Sequence, residues 1–458
     1  MQGKKLSRRD FLRMSALTAA GAAMASCAPE VVREVVKETV VVEATPQVVE
    51  KAVTATPPPR GKVPVRVTSS HPLPYLDPLA YDLAKERLPH IELTIDQTPF
   101  GDSWASYGDN VIIRIAGGEA LDLIYMASEV MPLFAYRKVI QPLDPFIEGD
   151  PETSKEIEED FQHEWWDVFT YKGRRMGHPL GGNVMLMWWN PKIFRELGVK
   201  EPWDGWTWDD FLETCLAVAD VKGTEEDRYA YSWYDEAFGI GNWFYNNDTS
   251  WLKNDNTESN MDDPKVTESI QFLADLIPKY KVSPQPAGFD RTGNFLAGHL
   301  VMVLAGRATV PAMQQAEFTD FNFTYHPHKA GPLRTVVGAG GWAIATMTPH
   351  VEESWEVINL LNCFELQRKF IELRGSNVSR KSVMQLPEVQ TGPPGVNMNL
   401  FYEALDHAEV VPAPPNFNVV DALMRRWYAK LWAGEITVDE LVKGVDEELK
   451  AEMEKITA

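Results

Sequence analysis

Side chains able to grip a ligand recur at or just past the ends of short apolar runs. Ser70 and His71 follow "VPVRVT", Met126 and Glu129 fall at and beyond the end of "LDLIYMA", Trp233 and Glu236 flank the close of "YAYSWYD", and Arg307 follows "HLVMVLAG". Gly340, Gly341 and Trp342 form a fifth group, and Trp189 and Trp243 stand in "MLMWWN" and "GIGNWFYNNDTSW". Aromatic plates can cover the flat faces of a molecule, carboxylates and a guanidinium can bind its polar rim, and paired glycines let backbone come close. This is a chemistry of holding. For bond-breaking, the sequence has no His-Glu-x-x-His, no Gly-x-Ser-x-Gly and no phosphate loop, and "GAGGW" lacks the third glycine and helix start of a dinucleotide site. A hydrolase needs only two carboxylates at a fixed separation, and 66 acidic residues leave that alternative open. No cofactor and no metal are expected.

The elements that would position these residues alternate strand and helix. "VPVRVTSS" precedes the helical "LDPLAYDLAKERL", "HIELTIDQTP" precedes "SWASYGDNVIIRIAGG", and "LDLIYMA" precedes "EVMPLFAYRKV". Repeated β-α units predict mostly parallel sheets flanked by helices, with ligands at the carboxyl ends of the strands. A second series runs through "NVMLMWWNPKIFRELGV", "YAYSWYD", "HLVMVLAG" and "FNFTYHP". The fold class is therefore α/β, in two lobes. On a strand, successive side chains face opposite sides, so of Trp188 and Trp189 only one can look toward a cleft. Trp208 follows Thr207, a good N-cap, and is expected to be structural, as are Trp355, Trp427 and Trp432 in helical patterns.

Size and charge set outer limits. At 458 residues the chain exceeds what one hydrophobic core can organise. A formal charge of −22 argues against nucleic acid and against an anionic membrane surface. The first 26 residues hold Arg8 and Arg9, followed by Phe11 and Leu12, then an apolar stretch ending in Ala25-Ser26-Cys27. They resemble a twin-arginine export signal fused to a lipoprotein cleavage box, with Cys27 as the lipidated residue. Residues 27–62, rich in Val, Glu, Thr and Pro, read as a low-complexity tether. Cys215 and Cys363 then remain, each on an apolar helical stripe, so no disulfide is expected.

Eight motifs in order carry a resemblance: "GGEALDLIYM", "QPLDPFI", "YKGRRMGHPLGG", "MWWNPKIFRELGV", "WTWDDFLETCLAVA", "FLAGHLVMVLAG", "GAGGWAIATMTPHVEESWEVINLL" and "GEITVDELV". Together they resemble the extracellular solute-binding proteins of ABC importers, in the sugar-binding group that includes maltose-binding protein. The resemblance implies a two-lobed periplasmic-binding-protein-like fold joined by crossing hinge segments near 177–185, 336–343 and 380–390. One lobe would comprise 63–180 plus 338–380, the other 186–335 plus 391–458. It implies no catalysis. It implies a carbohydrate ligand held in the cleft, delivery to membrane permease subunits, and a monomer outside the cytoplasm held to the membrane by its lipid alone. The strand-end residues named above would be the ligand contacts, with Trp342 as a sugar plate. An exported carbohydrate-active hydrolase or lyase is the alternative, and a sensor subunit a third.

Overall fold

The computed structural model describes residues 61–70, 78–221 and 228–457. His71, Cys27, the expected signal and all but the last two residues of the expected tether lie outside the described residues.

The first three strands form in runs rich in β-branched and apolar residues. β1 (Val63–Ser69) lies between β2 (Ile91–Gln97) and β3 (Leu123–Ala127), all parallel. Between β1 and β2 runs the helix Leu79–Arg87, and between β2 and β3 the helix Trp104–Ala116, whose first turn is capped by Ser103 accepting from the Ser106 N–H at 3.2 Å. To this parallel core the chain adds β4 (His178–Val184). It then leaves for a second sheet with β5 (Leu186–Trp189), β6 (Tyr229–Ser232), β7 (Leu300–Ala305) and β8 (Asn322–Thr324), before returning with β9 (Thr335–Ile344), β10 (Asn377–Val378) and β11 (Ala408–Val410). The larger sheet has the order β10-β4-β9-β3-β1-β2, with β11 also on β9; the smaller has the order β8-β5-β7-β6.

The sheets are mixed, which corrects the expectation of mostly parallel ones. β9 is antiparallel to both β3 and β4, and β4 is antiparallel to β10. In the smaller sheet only β6 and β7 run parallel. Strands reached by passing between sheets enter without a crossover helix, so nothing imposes the parallel sense that βαβ units impose.

Two of the expected crossings coincide with observed passages. Met185 separates β4 from β5, and its N–H donates to the Val336 carbonyl at 3.0 Å, near the start of β9. The two passages thus run side by side. Glycines permit the close approach: a Cβ on Gly182 would lie 2.7 Å from the Ala339 Cα. No strand crosses at 380–390. There the chain forms two short helices, Lys381–Met384 and Pro387–Gln390, whose Val383, Met384 and Val389 join the core of the larger sheet. β11 still pairs with β9 after them.

The tryptophan pair that closes β5 is packed on both sides. Trp188 donates its indole N–H to the Ala305 carbonyl at 3.0 Å and lies 5.2 Å from Phe321 and 5.3 Å from Phe323 between ring centroids. Trp189 faces the opposite core, with Ile193, Phe194 and Phe211. The strand stops because Asn190 caps the next helix, Pro191–Leu197, accepting from the Ile193 N–H at 3.1 Å with Pro191 in the first turn. Cys215 and Cys363 are free and buried, in different core clusters. Among the described residues no helix is long and apolar enough to cross a membrane.

Candidate functional site

A cavity of about 440 Å³ opens where the two sheets face each other across the paired passages. Ser69 and Ser70 reach it from the end of β1, Phe100 to Trp104 from the loop after β2, and Tyr125 and Glu129 from β3 and just past it. The floor is backbone: Gly181, Gly182 and Asn183 on β4, with Gly338, Ala339 and Gly340 on β9. The opposing wall comes from the segment after β6, with Tyr234, Glu236 and Phe238, and from the helix Phe417–Trp432, with Phe417, Asp421 and Arg425. Phe370, Arg374 and Ser376 close one side.

Aromatic faces make up much of the lining. Trp104 is half-buried, edge-on to Phe100 at 5.0 Å and tilted to Tyr125 at 6.1 Å. The Tyr125 hydroxyl sits where any Cβ on Gly340 would be, so glycine there is a steric requirement. Burial pushes the Tyr125 phenol up to about 12, so it stays a hydrogen-bond donor at neutral pH.

The polar groups divide into two sets. Arg425 bridges Asp421, through Nε at 2.8 Å, and Glu236, through a terminal nitrogen at 2.5 Å. Burial alone would raise Asp421, and the Arg425 charge opposes that, leaving its carboxyl above the usual range. Among the described residues Glu129 has no such partner. It is 8% exposed, and the Ser128 hydroxyl donates to its Oε2 at 2.7 Å while accepting from the Ala339 N–H at 3.2 Å. Burial pushes Glu129 up to about 7, assisted by the charges of Glu236 and Asp421. Asp102, at the rim, is held below the usual carboxylate range by the Ser106 hydroxyl. Outside the cavity, Asn418 on one wall donates to Asp109 on the other at 2.8 Å.

Of the residues predicted from sequence, Ser70, Glu129, Glu236 and Gly340 line this cavity. The others stand elsewhere. Met126 points into the core shared by the sheets, and Gly341 packs on Phe169 and the His178 carbonyl. Trp189, Trp233 and Trp243 belong to the core of the smaller sheet, where Trp233 stacks on Tyr231 at 5.8 Å and Trp243 meets His326 at 4.4 Å. Trp342 is buried beneath the larger sheet's core residues, with its ring 5.1 Å from Tyr125. It is a support for the lining, not a plate. Arg307 lies at a separate cavity of about 220 Å³, donating to the carbonyls of Gly375 at 2.6 Å and Val389 at 3.1 Å. Gly375 sits between Arg374 and Ser376, so Arg307 braces the segment that carries two lining residues.

Sequence reading missed Phe100, Trp104, Tyr125, Tyr234, Phe238, Phe417 and the Asp421–Arg425 pair. A signal for Trp104 was available, since it opens the helix that follows β2, at the strand's carboxyl end. Among the described residues no group of three or more His, Cys, Asp or Glu side chains could hold a metal.

The profile of the bacterial extracellular solute-binding protein family matches residues 71–362. The chain belongs to this family. The family places the protein outside the cytoplasm, and its members bind solutes. The maltotriose-binding protein of Pyrococcus abyssi is 20% identical over 376 residues, covering 78% of this chain and 72% of that protein. Among solved structures, an ABC substrate-binding protein of Listeria monocytogenes in complex with cycloalternan superposes with a TM-score of 0.74 at 20% identity, covering 86% of this chain and 99% of the other. The Thermus thermophilus maltotriose-binding protein, bound with maltotriose, gives 0.66 at 19% identity over 85% and 100%. These likenesses establish the two-lobed fold of ABC solute-binding proteins.

Proposed function

We propose that the protein captures a carbohydrate, an oligosaccharide, in the cavity between its lobes and delivers it to the permease of an ABC importer. The observation that carries this reading is the lining itself: aromatic faces from both walls alternate with carboxylates, guanidiniums and hydroxyls. Sugar rings present apolar C–H faces within a girdle of hydroxyls, and each needs one of these two kinds of group. The sugars named for the relatives, maltotriose and cycloalternan, support the same class.

The mechanism is closure. A solute that touches Trp104 and Tyr125 on one wall and Tyr234 and Phe417 on the other favours the closed arrangement by its differential affinity for it. The paired passages at Met185 and Val336 form the hinge of this motion, and the lobes follow the crossings there. The protein works as a monomer, with Cys27 lipidated after twin-arginine export and residues 27–62 as tether. The relatives named above are binding proteins, which favours capture over the hydrolase alternative.

A thermal-shift screen against malto-oligosaccharides and other neutral oligosaccharides tests the reading. A true ligand at 100 times its dissociation constant should stabilise the protein by about 2.7 kcal/mol and be recovered unchanged. Release of shorter sugars would instead reveal an enzyme. Trp104→Ala should weaken binding by about 1 to 3 kcal/mol, by analogy with stacking of bases on aromatic rings, with little change in the unliganded melting temperature because the ring is only half-buried. Normal titration of that variant would remove Trp104 from the site.

A further inference from the structure

Building on the carbohydrate reading, we infer that the sugar taken by this cavity carries a protonated amino group that sits against Glu129, as in an oligosaccharide of 2-amino-2-deoxyhexose.

The charge pattern of the lining points this way. Asp102, Glu129, Glu236 and Asp421 face two cations, Arg374 and Arg425. Arg425 is already shared between Glu236 and Asp421. Arg374 stands on the side of the cavity formed with Phe370 and Ser376. Among the described residues no Lys, Arg or His nitrogen stands within ion-pair distance of Glu129, which is more than nine-tenths buried and still lines the cavity. Its donor is the neutral Ser128 hydroxyl.

A buried carboxylate without a counter-charge is costly, and cost of that kind is usually met by pairing or by protonation. A neutral sugar closing over Glu129 would strip its remaining water and return only hydroxyl donors. An ammonium group brings a full opposite charge and three N–H donors, and charge-assisted hydrogen bonds are roughly twice as strong as neutral ones. The surroundings suit a cation as well. Tyr125 and Trp104 stand on the same wall, and aromatic faces attract cations. An N-acetyl group in the same place would present a methyl and an amide and carry no charge. The assignment therefore separates free amino sugars from their acetylated forms.

The test titrates the full chain at pH 7 by calorimetry with three disaccharides: the β-1,4-linked dimer of glucosamine, its N,N′-diacetyl form, and maltose. The amino disaccharide is expected to bind at least about tenfold more tightly than the other two, the scale of one charge-assisted contact. Glu129→Gln keeps the side-chain shape and should lose at least about tenfold in affinity for the amino sugar alone. The unliganded melting temperature of the variant reports whether it is folded. If maltose or another neutral saccharide binds as tightly as the amino sugar, or if Glu129→Gln binds the amino sugar unchanged, the amino-group assignment falls and the carbohydrate reading stands. If neither amino nor neutral saccharides bind, both fall together.

Discussion

Replacing Trp342 by alanine should lower the stability of the unliganded protein by about 3 to 5 kcal/mol, the usual cost of deleting a large buried aromatic. Trp342 is fully buried on β9, among Leu123, Ile344 and Ile358 of the larger sheet's core, and its ring lies against Tyr125 at 5.1 Å and 67°. Among the described residues its indole N–H has no hydrogen-bond partner, so the loss is one of packing and cavity formation. Urea unfolding reads the effect: the midpoint should drop sharply while the slope, which reports surface exposed, stays the same. Affinity should change only as far as Tyr125 relaxes into the space. A variant that melts normally yet loses its ligand would make Trp342 a contact after all.

Glu129 should give the protein a distinctive pH response. Its folded-state value of about 7 stands above the ordinary 4.5, so the unfolded chain releases this proton first as pH rises. The sign follows: stability from this group is greatest below about 4.5, falls as pH climbs through the interval, and is fully lost above about 7. The gap corresponds to about 3 kcal/mol. Comparing wild type with Glu129→Gln isolates it, because other carboxylates, such as Glu365 held down to about 2 by Arg87, titrate equally in both. The variant's stability relative to wild type should increase by about 3 kcal/mol between pH 4.5 and pH 8. A constant difference across that range would mean that Glu129 is well solvated.

The fold was open to reading because its signals are local. Each apolar run with turn residues behind it became a strand or helix near its expected limits, and the two glycine-rich crossings could be recognised because close strand packing demands glycine. The third crossing could not, since residues 380–390 are apolar enough to be core and no periodicity says which core. At the site the error was one of parity. Met126 and Trp233 were favoured where their neighbours Tyr125 and Tyr234 line the cavity. For Met126 and Tyr125, adjacent residues on a strand face opposite sides, and a strand covered on both faces gives no polar alternation to fix which side is which; Trp233 and Tyr234 lie past the end of β6, where no strand period applies. The tryptophans misled for a related reason. Ten of fifteen fall between residues 165 and 251, and that density marks a large aromatic core, as the contacts of Trp208, Trp243 and Phe211 within about 5 Å illustrate. Glu129 and Glu236 were legible because a carboxylate just beyond an apolar strand has no reason to be there unless something polar faces it.

The sheet order carries a consequence for biosynthesis. β1, β2 and β3 are made early, but β9, the strand that covers the free edge of β3, begins about 200 residues after β3 ends. At ribosomal speeds of roughly 5 to 20 residues per second, that interval lasts roughly 10 to 40 seconds. During it an apolar strand edge stands unpaired, the condition that invites aggregation. The larger sheet therefore cannot close over β3 until β9 has been made. A route that exports folded proteins requires this closing step to happen before the membrane is crossed, whereas a route that threads unfolded chain defers it to the far side.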